Sequence, residues 1–175
     1  DIGQVADIVK TLGLSRVPGG YAPDDFKDME ALQHTIETTQ KLVDSLKPYD
    51  LKLFLHNHYW EFNLLDGRPG YHYLQEQVPD VEFEIDTYWA ANFGNNDAAA
   101  ELARVADRTP YAHIKDGPLE AGQSHVAVGS GKMDLEAVFA AMNPAVFEWA
   151  VVELDSCDTD IFTAVAQSYN YLTTQ

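Results

Sequence analysis

The sequence predicts an α/β fold in which parallel strands alternate with helices. The spacing of apolar residues switches repeatedly between the helical period of about 3.6 and the strand period of two. In addition, most strand segments pair an aliphatic face with a face that carries polar side chains toward the end of the strand. Strands that alternate with helices along a chain usually pair in parallel, because each helix carries the chain back across the sheet.

The first third of the chain is mostly helical in its spacing. Apolar residues at Ile2, Val5, Ile8, Val9 and Leu12 predict a helix within residues 1–14, which a short extended piece and a turn follow. A longer helix is expected from Asp24, and Pro48 ends it. Its apolar face consists of residues three or four positions apart, namely Met29, Leu32, Ile36, Thr39, Val43 and Leu46.

Residues 51–58 have the alternation of a strand. Leu51, Leu53 and Leu55 occupy one face, and Phe54, His56 and His58 occupy the other. Because the leucines are expected under the helices, the two histidines are expected on the opposite, inner face.

The cycle then repeats three times. Helical stretches are expected at 71–77, after Asp97, after Asp134 and from about Asp158, with Asp97 and Asp134 as helix caps. Between them lie strand segments at 81–89, 111–117 and 148–155. Their aliphatic residues are Val81, Phe83, Ile85, Ala112, Ile114, Ala150, Val152 and Leu154, and their polar residues are Glu82, Glu84, Asp86, His113, Lys115, Glu153 and Asp155.

The polar strand faces favour a closed barrel. An open sheet covered on both faces would be apolar on both, whereas a (β/α)8 barrel carries its catalytic residues at the carboxyl ends of its strands. Such a barrel needs about 250 residues. We therefore expect residues 1–175 to form a single domain that corresponds to the C-terminal two-thirds of a TIM barrel, with the first strands missing. A small open α/β sheet is the alternative.

The composition restricts the partners. The chain has 28 acidic and 11 basic residues and a formal net charge of −17, and such a surface repels nucleic acids and anionic membranes. No apolar run is long enough to span a bilayer. The single cysteine, Cys157, excludes an internal disulfide framework and a multi-cysteine metal cage. We expect a cytoplasmic protein, and whether it forms a homo-oligomer stays open.

Five motifs in order resemble the sugar phosphate isomerase/epimerase family, whose fold is a xylose isomerase-like TIM barrel. They are HNHYWEF at 56–62, EIDTYW at 84–89, HIKDG at 113–117, GSGKMD at 129–134 and VVELD at 151–155. The resemblance extends from about Gly13 to the end of the chain.

The resemblance implies a divalent metal ion held at four strand ends. Asp86, His113 and Glu153 match the family's ligands, and His56 stands where the family usually has a glutamate. Two carboxylates with one or two imidazoles suit Mn²⁺, Mg²⁺, Co²⁺ or Zn²⁺. The alternative is a buried ion-pair network in which Lys115 supplies positive charge.

The other polar residues have simpler expected roles. His58, Trp89 and Lys115 are candidates for substrate binding, and Glu84 is expected to form a buried pair with Lys115. Glu61 is expected to be a solvated loop acid, while His34, His72 and His125 are expected at the surface. Gly129-Ser130-Gly131-Lys132 lacks the spacing of a phosphate loop, so it is interpreted as a turn into the next helix.

The resemblance implies a metal-dependent isomerase or epimerase that removes a proton next to a carbonyl of a sugar or polyol, with Glu153 and His56 as acid/base groups. A lyase or dehydratase acting on a keto-sugar or inosose-like substrate is the first alternative. A sugar- or metal-binding scaffold without catalysis is the second.

Overall fold

The computed structural model describes residues 1–174, which divide into two compact units. The first is Asp1–Phe83 and the second begins at Glu84. That residues 1–175 form one domain stays a prediction.

The first unit contains three helices, two longer strands and a small hairpin. The helices are α1 (Ile2–Thr11), α2 (Met29–Leu46) and α3 (Gly70–Gln77), and the strands are β1 (Arg16–Gly19), β2 (Lys52–His56), β3 (Leu64–Leu65) and β4 (Arg68–Pro69). Short 3₁₀ turns lie at Pro23–Phe26, Lys47–Tyr49 and Trp60–Phe62. β1 and β2 pair in parallel, with Val17 opposite Leu53.

Helix α2 starts later than the sequence predicts. The residues after Pro23 form a 3₁₀ turn, and the α-helix begins at Met29, where the Asp28 carboxylate accepts a hydrogen bond from the Ala31 N–H at 2.8 Å. A cap of this kind satisfies one of the unpaired N–H groups at the start of a helix.

Strand β2 has the predicted faces. Leu51, Leu53 and Leu55 are 5%, 3% and 1% exposed, whereas Phe54 and His56 are half-buried. The leucines therefore pack into the core of this unit, and His56 lies on the other face at the carboxyl end of the strand.

The antiparallel β3–β4 hairpin was not predicted. Its two-residue turn is Asp66-Gly67, with φ angles of 49° and 83°. An Asp-Gly pair between short apolar and polar segments favours this turn because both positions need positive φ. The signal was present, but strands of two residues are too short to show alternation.

The strands of the second unit carry or lead directly to the candidate ligands Asp86, His113 and Glu153. Its strands are β5 (Glu82–Asp86), which begins two residues inside the first unit, β6 (Tyr111–Ile114) and β7 (Trp149–Val152). Its helices are α4 (Thr87–Ala90), α5 (Ala98–Ala103), α6 (Leu135–Ala141) and α7 (Ile161–Thr173), and 3₁₀ turns lie at Asn92–Gly94 and Ala106–Arg108. β5 pairs with β6, and β6 with β7, all in parallel.

Aspartates begin all four helices of this unit. Asp97 and Asp134 cap α5 and α6 as predicted, with carboxylate oxygens that accept backbone N–H groups at 3.0–3.1 Å. α7 begins at Ile161, somewhat later than expected from about Asp158, and Asp160 is its cap. None of the helices in residues 1–174 combines the length and apolar character that crossing a bilayer requires.

Strand β7 departs from the predicted burial. Ala150, expected under helices, is exposed, and Trp149 is 66% exposed. β7 is at the end of the strand order and pairs with β6. An apolar face is buried only where another element covers it, so alternation alone did not determine the burial of this strand.

Candidate metal centre

Three candidate ligands meet at the carboxyl ends of β5, β6 and β7. Asp86 is the last residue of β5, His113 is the third residue of β6, and Glu153 directly follows β7. The strand register places Asp86 opposite His113. One donor atom from each of the three lies within 4.8 Å of the others.

The two carboxylate oxygens of Asp86 have different partners. As the cap of α4, its Oδ1 accepts the Trp89 N–H at 2.9 Å. Its Oδ2 lies 2.8 Å from Lys115 Nζ and 3.9 Å from His113 Nδ1. Asp86 is fully buried, so the helix cap fixes the carboxylate and directs Oδ2 at the other members of the site.

His113 has a carboxylate near each ring nitrogen. Nε2 lies 3.2 Å from Glu84 Oε1, and Nδ1 lies 2.5 Å from Glu153 Oε2. Burial lowers the pKa of His113, but the hydrogen bond to Glu84 and the charges of Glu84, Glu153 and Asp86 outweigh it and raise the pKa. Glu84 therefore contacts His113, and the prediction that it pairs with Lys115 was wrong.

The contacts of His113 suit a metal ligand. When Nε2–H donates to Glu84, Nδ1 presents a lone pair to the Glu153 oxygen. Two acceptor atoms at 2.5 Å repel each other unless a proton or a cation lies between or beside them. Metal-bound histidines usually donate their second N–H to a carboxylate or carbonyl in this way.

Lys115, the first residue after β6, is 1% exposed. Its Nζ lies 2.8 Å from Asp86 Oδ2, 3.0 Å from Glu153 Oε2, and 2.9 and 3.0 Å from the two oxygens of Asp155. Burial lowers the pKa of Lys115, but Asp86, Asp155 and Glu153 outweigh this and raise it. Lys115 is therefore a buried ammonium group at the centre of the cluster.

Asp155 is a site residue that the sequence analysis did not single out. Burial raises its pKa, but the hydrogen bond and charge of Lys115, the charge of His125 and a hydrogen bond from the Trp89 side chain lower it below its usual value. The Trp89 ring also lies against Lys115, whose Nζ is 5.3 Å from the ring centre. The Trp89 ring thus packs beside the ammonium group.

His125, expected at the surface, is 2% exposed. Its Nδ1 accepts the Asp155 N–H at 3.1 Å, and its ring packs edge-on against Tyr88 and Trp89. Burial is the main cause that lowers the pKa of His125. A buried loop histidine has no periodicity that reveals it, so the prediction was wrong for lack of a signal.

The donor set of the second unit fits a divalent metal ion. Asp86 and Glu153 supply anionic oxygens and His113 supplies an imidazole, and the cluster contains no thiolate. Oxygen and imidazole donors suit Mg²⁺, Mn²⁺, Co²⁺ and Zn²⁺. Asp86, Glu153 and Asp155 contact the ammonium group of Lys115, and Glu84 contacts His113. These four carboxylates outnumber the ammonium group, so the cluster carries excess negative charge that a cation would offset.

The loop after Lys115 is organised by Asp116, which the sequence analysis also missed. The buried Asp116 carboxylate accepts N–H groups of Gly117, Gly129, Gly131 and Met133 at 2.8–3.1 Å. A Cβ at Gly131 would lie 2.0 Å from Asp116 Oδ1. The glycines of GSGK therefore fit around a carboxylate, in agreement with their interpretation as a turn.

The remaining predicted residues lie in the first unit. His56 and His58 share a face, with ring centres 4.9 Å apart, and His58 stacks on Trp60 at 4.0 Å. Glu61, expected to be solvated, is fully buried, and its Oε2 accepts the His58 N–H at 2.9 Å. Burial raises the pKa of Glu61 despite the opposing interactions with His58. The 3₁₀ turn at Trp60–Phe62 redirects the chain and turns Glu61 inward.

Similar solved structures support the fold. A sugar phosphate isomerase/epimerase from Parabacteroides distasonis has a TM-score of 0.79 and 23% identity, covering 97% of this chain and 60% of that one. The probable 3-DHS dehydratase AsbF from Bacillus anthracis has a TM-score of 0.72 and 12% identity, covering 99% and 68%. The IOLI protein, solved with a zinc atom, has a TM-score of 0.70 and 18% identity, covering 98% and 66%.

No curated protein matches the sequence. The chain spans about three-fifths of the length of the Parabacteroides structure. Residues 1–173 match the model of the xylose isomerase-like TIM barrel. The predicted fold class is confirmed, and the chain belongs to the xylose isomerase-like TIM barrel family.

Proposed function

We propose that the protein is a metal-dependent sugar isomerase or epimerase, which removes the proton next to a carbonyl group of a sugar or sugar-like polyol. The observation that carries the proposal is the convergence of Asp86, His113 and Glu153 donor atoms within 4.8 Å at three strand ends. Carboxyl ends of barrel strands are where this fold carries its chemistry.

In this proposal Asp86, His113 and Glu153 hold the metal ion, and His56 is the fourth ligand. The role of His56 rests on the family resemblance and on its position at the carboxyl end of β2. A bound divalent metal would supply Lewis-acid polarisation of the substrate carbonyl. Glu84 fixes the tautomer of His113 through its contact with Nε2.

Glu153 is the proposed base. Its side chain is 38% exposed, whereas that of Asp86 is fully buried, so Glu153 is the one of these two proposed carboxylate ligands that a substrate can reach from solvent. Lys115 Nζ lies 3.0 Å from its Oε2. His56 is the proposed acid/base group on the other face of the substrate, with His58, Trp89 and Lys115 as substrate contacts.

A dehydratase is the second candidate, and the ammonium group of Lys115 favours it. It lies beside the proposed base and carries protons that a departing β-oxygen can take up. The similar structure of a probable dehydratase agrees with this alternative at the level of the fold.

The test is exchange of the substrate α-proton with solvent. Metal-loaded, full-length protein is incubated in deuterated buffer with a panel of ketoses and keto-polyols, and the products are followed by NMR. Deuterium at the α-carbon with an isomeric product supports the isomerase or epimerase, whereas loss of water from the product supports the dehydratase.

Two variants identify the base. Glu153→Gln should lower exchange by about a hundredfold or more, the usual contribution of a positioned acid/base group. The matched control is Glu120→Gln, since Glu120 is an exposed acid paired with Lys132. Sugar binding without exchange on any substrate would instead indicate a binding scaffold, and equal rates in both variants would exclude Glu153 as the base.

A further inference from the structure

Lys115 and the proposed metal ion would contact the same two carboxylate oxygens. Asp86 Oδ2 and Glu153 Oε2 are the oxygens nearest to His113 Nδ1, at 3.9 and 2.5 Å. They are also the oxygens that Lys115 Nζ contacts, at 2.8 and 3.0 Å. An ammonium group and a divalent ion this close repel each other strongly in a buried site.

Asp155 offers the ammonium group a separate partner. Both of its oxygens contact Lys115 Nζ, and Asp155 does not belong to the cluster of candidate ligands. Its position is held from two sides, since its N–H donates to His125 Nδ1 and its carboxylate accepts from the Trp89 side chain. Asp155 is therefore fixed as a partner of Lys115 independently of the metal ligands.

We propose that Lys115 is an internal counter-cation of the metal site, and that Asp155 positions it. Without metal, the ammonium group neutralises Asp86 and Glu153. When a divalent ion binds, the ammonium group gives up these two oxygens and stays with Asp155. The inference rests on the proposed metal site and adds a function for two residues that are not ligands.

In this proposal, Lys115 and the metal ion compete for the carboxylates of Asp86 and Glu153. A buried carboxylate without a cation is costly, so Lys115 stabilises the metal-free protein. The same charge opposes metal binding, because the ion must displace the ammonium group from two of its partners. Removal of the charge at 115 should therefore weaken the metal-free fold and tighten metal binding at the same time.

The experiment titrates metal-stripped protein with Mn²⁺ by calorimetry. In Lys115→Met, which keeps the length of the side chain but not its charge, we expect the Kd for Mn²⁺ to fall about tenfold or more, in line with the loss of a nearby like charge. The melting temperature of the metal-free variant should fall, and its rise on adding Mn²⁺ should exceed that of the wild type. Lys115→Arg, which keeps the charge, should bind Mn²⁺ nearly as the wild type does.

A double-mutant cycle tests the role of Asp155. Asp155→Asn should weaken Mn²⁺ binding several-fold in the wild-type background, because the ammonium group then stays with Asp86 and Glu153. In the Lys115→Met background the same substitution should have little effect. An equal loss in both backgrounds would mean that Asp155 acts through its charge alone, and would overturn its positioning role.

The outcomes separate this inference from the metal site itself. Failure of the wild type to bind Mn²⁺, or binding unaffected by Asp86→Ala, would remove the metal site and the inference with it. Binding that depends on Asp86 but is equal or weaker in Lys115→Met would overturn only the counter-cation. If Lys115→Met does not fold without metal, Lys115→Gln is titrated in its place with the same expectations.

Discussion

Two fully buried carboxylates, Glu61 in the first unit and Asp86 in the second, have different surroundings. Glu61 accepts the His58 N–H, and the imidazole of His58 lies 3.9 Å from its other oxygen. Asp86 accepts the Trp89 N–H and contacts the ammonium group of Lys115 at 2.8 Å. Equal burial therefore does not imply an equal role, because the partner determines which protonation state is favoured.

The different partners of Glu61 and Asp86 suit these carboxylates to different roles. Burial raises the pKa of Glu61, so this acid holds its proton more tightly than an exposed glutamate does, which suits a structural hydrogen bond. Asp86 lies next to a permanent cation and a histidine, which suits an anionic oxygen that holds a cation. Substitutions at these residues should therefore differ in their effects on activity, stability and pH dependence.

The largest effect is expected on catalysis. We expect kcat/KM in His56→Ala and Asp86→Ala to fall by about a hundredfold or more, because each substitution removes a proposed ligand or acid/base group. In Glu61→Gln, kcat/KM should fall by less than about tenfold. Glu61 contacts none of the proposed metal ligands, and the amide oxygen of glutamine can still accept the His58 N–H. The measurement is steady-state kinetics on a substrate identified by proton exchange, with metal content determined alongside.

Retained activity in His56→Ala together with an inactive Glu61→Gln would reverse this assignment. The buried Glu61 would then be the functional acid of the segment, and His56 a packed neighbour.

A smaller effect is expected on stability and metal affinity. Asp86→Ala leaves the ammonium group of Lys115 without one of its buried partners, and breaking a buried ion pair costs about 3–5 kcal/mol of the free energy of unfolding. Mn²⁺ affinity should fall about tenfold or more, by analogy with the loss of supporting groups in metal sites. Urea unfolding and calorimetry provide the two measurements.

Asp44→Ala is the control for this variant. Asp44 pairs with Lys47 at an exposed position, and exposed pairs contribute little, so both quantities should stay near the wild-type values. Unchanged metal affinity in Asp86→Ala would mean that the site has been assigned to the wrong residues.

The smallest effect concerns the pH dependence of Glu61. Because its pKa is raised in the folded protein, the folded state holds this proton more tightly than the unfolded chain does. Its contribution to stability is present below the unfolded pKa of about 4.3 and is lost as the pH rises through the folded pKa. Glu61→Gln has no such proton, so its stability relative to the wild type should increase from pH 4 to pH 7. The increase is about 1.4 kcal/mol for each pH unit by which the pKa of Glu61 in the folded protein exceeds that in the unfolded chain.

Urea unfolding of both proteins at pH 4 and pH 7 gives this difference. A constant difference across the range would mean that Glu61 has the same pKa in the folded and unfolded states, and it would remove the proposed contrast with Asp86.

The sequence by itself determined the succession of elements and the faces of most strands. Periods of 2 and 3.6 place side chains on opposite sides of a strand or along one side of a helix, and this follows from local backbone geometry. The burial of the β2 leucines and the caps Asp97 and Asp134 could therefore be predicted. The resemblance of five motifs predicted the family. Asp86, His113 and Glu153 lie together at strand ends, and their role as metal ligands stays a prediction.

Only the tertiary structure decided the partners of the charged groups. Glu84 and Lys115 lie on neighbouring strands, yet each contacts other residues, because distances between side chains depend on strand twist, rotamers and loop paths. Glu61 and His125 were misjudged for the same reason, since each lies beyond the alternating residues, where periodicity no longer fixes the direction of a side chain. The partners of Asp155 and Asp116 became visible only in the structure, because they lie 13–40 positions away and hydrogen bonds that close long loops leave no local pattern in a sequence.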